Sequence, residues 1–313
     1  MQNFKNFRDV CIWTIQERKN RNVNNICKYG IEILDSYLWW IIENELVVIW
    51  AWSWIWKTEL SIQIAIENAM RGKKVALFSL EWDIWEVVYR YFQKHMNLKL
   101  KKQWNQFIKW PEYRLNLKNV DELEKQVYKE IPKQLDNLFI FDKSFIPDRN
   151  KLLEILRDNY DEFDIFVIDH LHYLDYWDNE YSWISDIVRG IKEMTEIIKK
   201  PVILVSHLKR WYDLNWKLPN KSDLHWSSNI EKNANTIILI TPSDEPINEW
   251  DSEESKYLRW TKIIVDKNRT WMPVPAIFET TFDLRTKEYL KWDKYNNLST
   301  DEKNKITKYD KIF

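Results

Sequence analysis

The stretch Leu46-Val47-Val48-Ile49-Trp50-Ala51-Trp52-Ser53-Trp54-Ile55-Trp56-Lys57-Thr58 decides the fold. Its four leading apolar residues suit a short strand buried on both faces. Lys57-Thr58 stands where a strand-to-helix loop meets its helix, and Leu60, Ile62, Ile64, Ala65 and Ala69 give that helix a largely apolar body. A phosphate-binding loop needs backbone N–H groups converging on oxyanions and glycines that permit that path. It also needs a lysine for the β- and γ-phosphates and a hydroxyl for Mg²⁺. The lysine and the hydroxyl are present. Where the glycines belong, the chain has Trp50, Trp52, Trp54 and Trp56, with Ala51 at the place of the first glycine of the general pattern.

The same exchange runs through the composition. Glycine averages about 7% of residues, which predicts about 22 in a chain of this length. The 313 residues hold 3 glycines and 20 tryptophans. Indoles fall at turn-like positions such as Tyr176-Trp177-Asp178-Asn179 and Asn215-Trp216-Lys217, where glycine supplies positive φ at no steric cost. The pattern is that of a gene whose UGA codons mean glycine but are written as tryptophan, and the abundant Lys, Asn and Ile fit an AT-rich genome. Single positions, Trp13 or Trp85 for example, can still be true tryptophan. Taken literally, the four indoles fill the loop and forbid nucleotide.

Charge is balanced, 47 Lys+Arg against 48 Asp+Glu, which excludes a wholly basic nucleic-acid coat but leaves room for a local basic patch. No apolar run reaches the roughly 18 residues of a membrane span, and the N-terminus lacks a signal-peptide core. Cys11 and Cys27 form neither a disulfide framework nor a metal-ligand spacing. These features predict a cytoplasmic protein.

Working outward, residues 1–28 read as an N-terminal arm, 29–292 as one α/β domain and 293–313 as a polar tail. Buried strands are expected at Leu46–Ile49, Val75–Leu80, Leu138–Phe141, Ile165–Ile168 and Val202–Val205, with helices between them. Ile184, Ile187, Val188, Ile191, Met194 and Ile198 mark one helix face. Uninterrupted apolar strands alternating with helices predict a mostly parallel sheet covered on both faces. Strands over 236–240, 261–265 and 274–278 finish it, the last two as an antiparallel edge.

Acids at the tips of such strands face the ligand crevice. Asp169, after Ile165-Phe166-Val167-Ile168, is placed to hold a Mg²⁺ shell. Because His170 rather than Glu follows it, the water-orienting base must come from another strand. Glu81, ending Phe78-Ser79-Leu80-Glu81, fills that role, its strand being next in sequence to the loop strand and so expected near it. His207, in Val205-Ser206-His207-Leu208-Lys209-Arg210, is placed to contact the γ-phosphate. His170 and His172 alternate along an expected extended strand end without a metal-binding cluster around them.

In this order the motifs resemble the helicase domain of the DnaB-type replicative helicases. They are the loop, Phe78-Ser79-Leu80-Glu81, Val167-Ile168-Asp169-His170, Val205-Ser206-His207-Leu208-Lys209, Ser222-Asp223-Leu224-His225-Trp226-Ser227-Ser228-Asn229-Ile230-Glu231 and Asp266-Lys267-Asn268-Arg269-Thr270-Trp271. The His207-Leu208-Lys209 variant is similar to the phage primase-helicases. The segment from Tyr29 to Trp39-Trp40 resembles the family's lead-in.

The resemblance implies a RecA-like P-loop NTPase fold and a homohexameric ring that hydrolyses ATP with Mg²⁺ while moving on single-stranded DNA. A primase or a helicase loader is an implied partner. It assigns Ala51, Trp52, Ser53, Trp54, Ile55, Trp56, Lys57 and Thr58 to nucleotide, Thr58 and Asp169 to the metal, Glu81 as base and His207 as γ-phosphate sensor. Lys267 and Arg269 match the pair that reaches a neighbouring subunit's γ-phosphate. Lys209, Arg210, His225, Ser227 and Ser228 fall on the DNA-contacting loop, His225 standing where the family usually has Arg or Lys. Six copies lining one channel reconcile DNA binding with balanced charge. The family's N-terminal collar or primase domain has no counterpart in these residues. Two other readings stay open: a RecA- or KaiC-like ATPase that does not unwind DNA, and a non-catalytic P-loop scaffold if the tryptophans are real.

Overall fold

Strand β1 (Leu46–Ala51) is buried along its whole length, and its side chains divide between two apolar layers. Val47, Ile49 and Ala51 point to one, Leu46, Val48 and Trp50 to the other. This is the period-2 alternation of a strand covered on both faces. Trp50 and Ala51 therefore belong to the strand, a correction to the expectation that they lie in the loop. The computed structural model describes residues 26–51, 57–104, 106–131, 133–174, 180–207, 227–243, 257–270 and 272–289, with positions 11, 15 and 16. Outside that set fall Trp52, Ser53, Trp54, Ile55 and Trp56 of the loop, Lys209, Arg210 and His225 of the DNA-contacting segment, most of the 1–28 arm and the 293–313 tail.

Parallel to β1 run β2 (Val75–Ser79), β3 (Leu138–Asp142), β4 (Ile165–Asp169), β5 (Val202–His207) and β6 (Thr236–Pro242). Strands β7 (Leu258–Asn268), β8 (Ala276–Asp283) and β9 (Glu288–Tyr289) then continue the sheet antiparallel. Among the described residues the order is β3-β2-β4-β5-β1-β6-β7-β8-β9. The mixed, mostly parallel α/β sheet matches the sequence expectation, with two corrections at the C-terminal end. The antiparallel edge has three strands rather than two. Its strands also run longer, because Leu258–Asn268 and Ala276–Asp283 form a continuous hairpin ladder.

Helix α1 (Glu32–Tyr37) and helix α2 (Lys57–Met70) cover one face. Buried Asn68 of α2 exchanges hydrogen bonds with the backbone of Lys28 at 2.8 and 2.7 Å, seating the lead-in segment. Gly72 ends α2 with φ 81°, the left-handed conformation of a helix-stopping glycine. Helices α3 (Ile84–Trp104), α4 (Trp110–Arg114) and α5 (Asp121–Glu130) share a small core around Met96, Ile108, Tyr113 and Val127. Helices α6 (Arg149–Asp158), α7 (Glu180–Ile198) and α8 (Ser227–Asn233) cover the opposite face. On α7, Ile184, Ile187, Val188, Ile191 and Ile198 are buried as expected. Thr195 takes the slot expected for Met194, its hydroxyl satisfied by the Lys192 carbonyl at 2.7 Å.

Strand β2 is not beside β1, because β4 and β5 lie between them. The expectation that Glu81 is near the loop because its strand follows the loop strand thus had the wrong reason. The chain leaves β2 toward β3 and leaves β4 toward β5, so these neighbouring strands send their connections in opposite directions. A crevice opens outside their C-terminal ends, the usual ligand position in an open α/β sheet. Helix α2 packs across β2 and β4 and brings Lys57 to that crevice.

Candidate active site

Register sets the two acids. Ser79 pairs with Asp169, and the Leu80 amide donates to the Asp169 carbonyl at 3.3 Å, so Glu81 emerges beside the tip of β4. Asp169 is 1% exposed, and among the described residues neither carboxylate oxygen has a hydrogen bond within 3.5 Å, although Thr58 and the His170 ring stand near it. Burial raises its pKa, against the opposing influence of His170, Thr58 and Lys57. A buried carboxylate with so few close donors is costly unless a cation completes it.

Lys57 opens α2 with Thr58, and both are buried. Burial lowers the Lys57 ammonium to about 7, with Asp169 and then Glu81 pulling the other way. Two acids and one lysine therefore share one desolvated crevice. Next to Thr58, buried Glu59 pairs with Arg90 of α3, which also pairs with Glu86 at 3.3 Å. The Arg90 guanidinium lies 4.3 Å from the Trp82 ring centroid and 5.2 Å from that of Trp110. This braces the first turn of α2 against α3.

His170 is the residue that the sequence did not identify. It adopts φ 67° and ψ 62° and is 2% exposed; its amide donates to the Val205 carbonyl at 3.0 Å. From there Nε2 lies 2.9 Å from Glu81 Oε2 and 3.8 Å from Asp169 Oδ1. The Tyr173 hydroxyl donates to Glu81 Oε1 at 3.2 Å. Burial pushes the Glu81 carboxyl up, but His170, Tyr173 and Lys57 outweigh it and leave the group below its ordinary value. The expected extended run from His170 to His172 is absent, because His170 is left-handed and Leu171–Tyr173 form a 3-10 turn. Histidine tolerates that conformation better than most side chains, which is the only sequence signal for it.

The other expected residues are dispersed. His207 ends β5 in register with Ala51, so its backbone flanks the loop strand. Ser227 and Ser228 begin α8. Lys267 and Arg269 lie at the end of β7, where Asn268 pairs with Thr236 and Thr236 with Val47. That is the edge at which the parallel strands begin, opposite the crevice. Both side chains reach the last turn of α8, Lys267 donating to the Glu231 carbonyl and Arg269 to the Lys232 carbonyl. Cations suit a helix C-terminus. The structure groups Lys57, Thr58, Glu81 and Asp169, and sets Lys267 and Arg269 on the other edge of the same chain.

Similarity searches agree with this architecture. The chain is 27% identical over 251 residues to the replicative DNA helicase DnaB of Haemophilus influenzae, covering 77% of this chain and 50% of that protein. It is 25% identical over 271 residues to a probable plasmid replicative DNA helicase of Chlamydia muridarum, covering 83% and 53%. The chain thus spans about half the length of the curated relatives it matches. Among solved structures, one ATPase domain superposes with a TM-score of 0.71 at 22% identity, over 93% of this chain and all of that one. A DnaB-like replicative helicase, described with its interactions with primase, gives 0.69 at 20% identity, over 93% of this chain and 68% of that one. At these identities the superpositions establish the fold, RecA-like with antiparallel strands at its C-terminal end. The model of the DnaB-like helicase C-terminal domain matches residues 27–283, and the chain belongs to that family.

Proposed function

We propose that this chain is the motor domain of a replicative DNA helicase, hydrolysing ATP with Mg²⁺ at subunit interfaces of a homohexameric ring that moves along single-stranded DNA. The observation that carries the proposal is the convergence of Lys57, Thr58, Asp169 and Glu81 on the β2–β4 crevice, with the Asp169 carboxylate buried and without a hydrogen bond within 3.5 Å among the described residues. These residues fit Mg²⁺ bound to a nucleotide. That ion is held by one or two protein groups while phosphate and water complete its shell. Among the described residues no group of three or more His, Cys, Asp or Glu is arranged to hold a metal unaided.

Thr58 and Asp169 would hold the ion, which when bound neutralises charge on the phosphates. Lys57 cradles the β- and γ-phosphates, its lowered pKa restored by their negative charge. Glu81 orients the attacking water, held by His170 and Tyr173. His207, at the tip of β5, senses the γ-phosphate. Lys267 and Arg269 complete the site of the neighbouring subunit, because their own crevice is at the far edge of the sheet. Lys209, Arg210, His225, Ser227 and Ser228 contact the DNA backbone in the channel. A primase and a helicase loader are the proposed protein partners. No described helix is long and apolar enough to cross a membrane.

The glycine reading of the tryptophans belongs to the same proposal. Trp39 has φ 70° and is 48% exposed, a left-handed conformation in which a bulky side chain is strained and glycine is not. The deciding experiment expresses the chain with glycine, and separately with tryptophan, at positions 50, 52, 54 and 56. ATP hydrolysis is measured with and without single-stranded DNA. The glycine form is expected to hydrolyse ATP, to be stimulated by DNA and to lose activity in Lys57→Ala. Hydrolysis indifferent to DNA would favour the RecA- or KaiC-like reading, and inactivity of both forms the scaffold. Intact-mass analysis of the native protein settles the residues themselves.

A further inference from the structure

We propose that Asn268, between Lys267 and Arg269, is the positioning residue that fixes the turn presenting Arg269; the inference rests on Arg269 acting on the neighbouring subunit. Asn268 Oδ1 accepts from three donors in the turn that follows: the Thr270 amide at 3.1 Å, the Thr270 hydroxyl at 2.5 Å and the Met272 amide at 3.3 Å. An asparagine that captures amides two and four residues ahead closes a local turn without help from sheet or helix. Its Nδ2 donates to Thr236 Oγ1 at 3.2 Å, and the fully buried Thr236 hydroxyl donates in turn to Glu45.

Glu45, 4% exposed, accepts the Ile42 amide at 3.0 Å, and its carbonyl receives the Val202 amide at 2.9 Å. The Arg269 amide donates to the Asn235 carbonyl at 3.0 Å, and Asn235 Oδ1 accepts the Leu46 amide at 3.1 Å. The turn is thereby tied to the first residues of β1, β5 and β6, where the central strands begin, while the exposed Arg269 side chain rests on the Lys232 carbonyl of α8. An arginine acting across an interface must be placed to within about 0.5 Å. A displacement of 1 Å is enough to cost about 100-fold in rate. The arrangement at Asn268 supplies that placement from behind, so the guanidinium is not needed to hold the turn.

The test is a double-mutant cycle in the full assembled protein. Steady-state ATP hydrolysis is measured on single-stranded DNA, and ring assembly by native mass spectrometry. Asn268→Ala is expected to lower kcat about 100-fold, with KM for ATP within about twofold and assembly intact, because each chain's own nucleotide crevice is untouched. In the Arg269→Ala background the same substitution should change nothing further, since the two act as one unit. Asn268→Asp, which keeps Oδ1, should recover at least about tenfold over alanine. If Asn268→Ala does not assemble, the exposed Thr270→Val substitution removes one donor alone. It should lower kcat severalfold in the parent and not at all in Arg269→Ala. Parental kcat in the Asn268 or Thr270 variants, or losses that multiply with Arg269→Ala, would overturn the inference. An Arg269→Ala protein of parental activity would instead overturn the trans reading on which the inference stands.

Discussion

At the scale of single residues, the most informative side chain is His170. It occupies a backbone conformation that costs of order 1–3 kcal/mol for a non-glycine residue, and that cost persists only where the surroundings enforce it. What holds it is the Val205 carbonyl on one side and the Glu81 carboxylate on the other. A hydrogen bond to a charged group is worth about 1.5–3 kcal/mol. His170→Ala is therefore expected to lower kcat about 10–100-fold while KM for ATP changes little, as stopped-flow phosphate release would read. A fall in nucleotide affinity with kcat unchanged would place His170 with binding and not with Glu81. The sequence made Lys57, Asp169 and Glu81 legible because each ends or follows a buried apolar run whose strand tip must face a crevice. It could not reveal His170, whose role depends on a left-handed turn and on the register of two strands distant in sequence.

At the scale of elements, the parallel core was readable because its strands are continuous apolar runs, while the antiparallel edge was not. β7 and β8 mix polar and apolar residues, and their extent is set by pairing with each other and not by local pattern. The adjacency of β2 to β4 was equally hidden, since strand order depends on crossovers. Polar ties close the edge. Asp283, at the end of β8 and fully buried, accepts from Arg285 Nε and Nη2 at 3.0 and 2.9 Å and from Lys101 of α3 at 2.9 Å. Asn97 of α3 adds a hydrogen bond to the Arg285 carbonyl at 2.8 Å.

Burial pushes the Asp283 carboxyl up, but Arg285 and Lys101 outweigh it and hold the group below its ordinary value. A carboxylate depressed in the folded state contributes stability above its unfolded pKa and loses it as pH falls through the folded value. Asp283→Asn leaves Arg285 buried without its counter-charge and is expected to cost about 3–5 kcal/mol near pH 7. Urea midpoints should show the gap to the parent narrowing on acidification below about pH 4. A gap independent of pH would mean that the loss is one of packing and not of charge.

At the scale of the molecule, the β2–β4 crevice and Arg269 lie at opposite edges of the sheet, one where the parallel strands end and the other where they begin. From Thr236 to Ile240, the residues of β6 that pair with β1, roughly 13 Å of strand separates the two edges. That span of continuously hydrogen-bonded strand holds the two edges apart. Lys57→Ala and Arg269→Ala proteins, each strongly impaired alone, should therefore gain activity when mixed and reassembled. On the proposed trans reading, an intact crevice meets an intact arginine at some interfaces of a mixed assembly. Mixtures as inactive as their components would argue that one chain supplies both groups.

The placement of Asn268 and Arg269 across the sheet from Lys57 also bears on symmetry. A two-fold dimer sets residue i against residue j and j against i, so it completes sites only in reciprocal pairs. On the proposed reading that Arg269 serves a neighbour, a head-to-tail joint instead completes one site and leaves an unfilled crevice at one end and an idle arginine at the other until the series closes on itself. An open chain of n subunits holds one finished site fewer than its length, whereas a closed one wastes none.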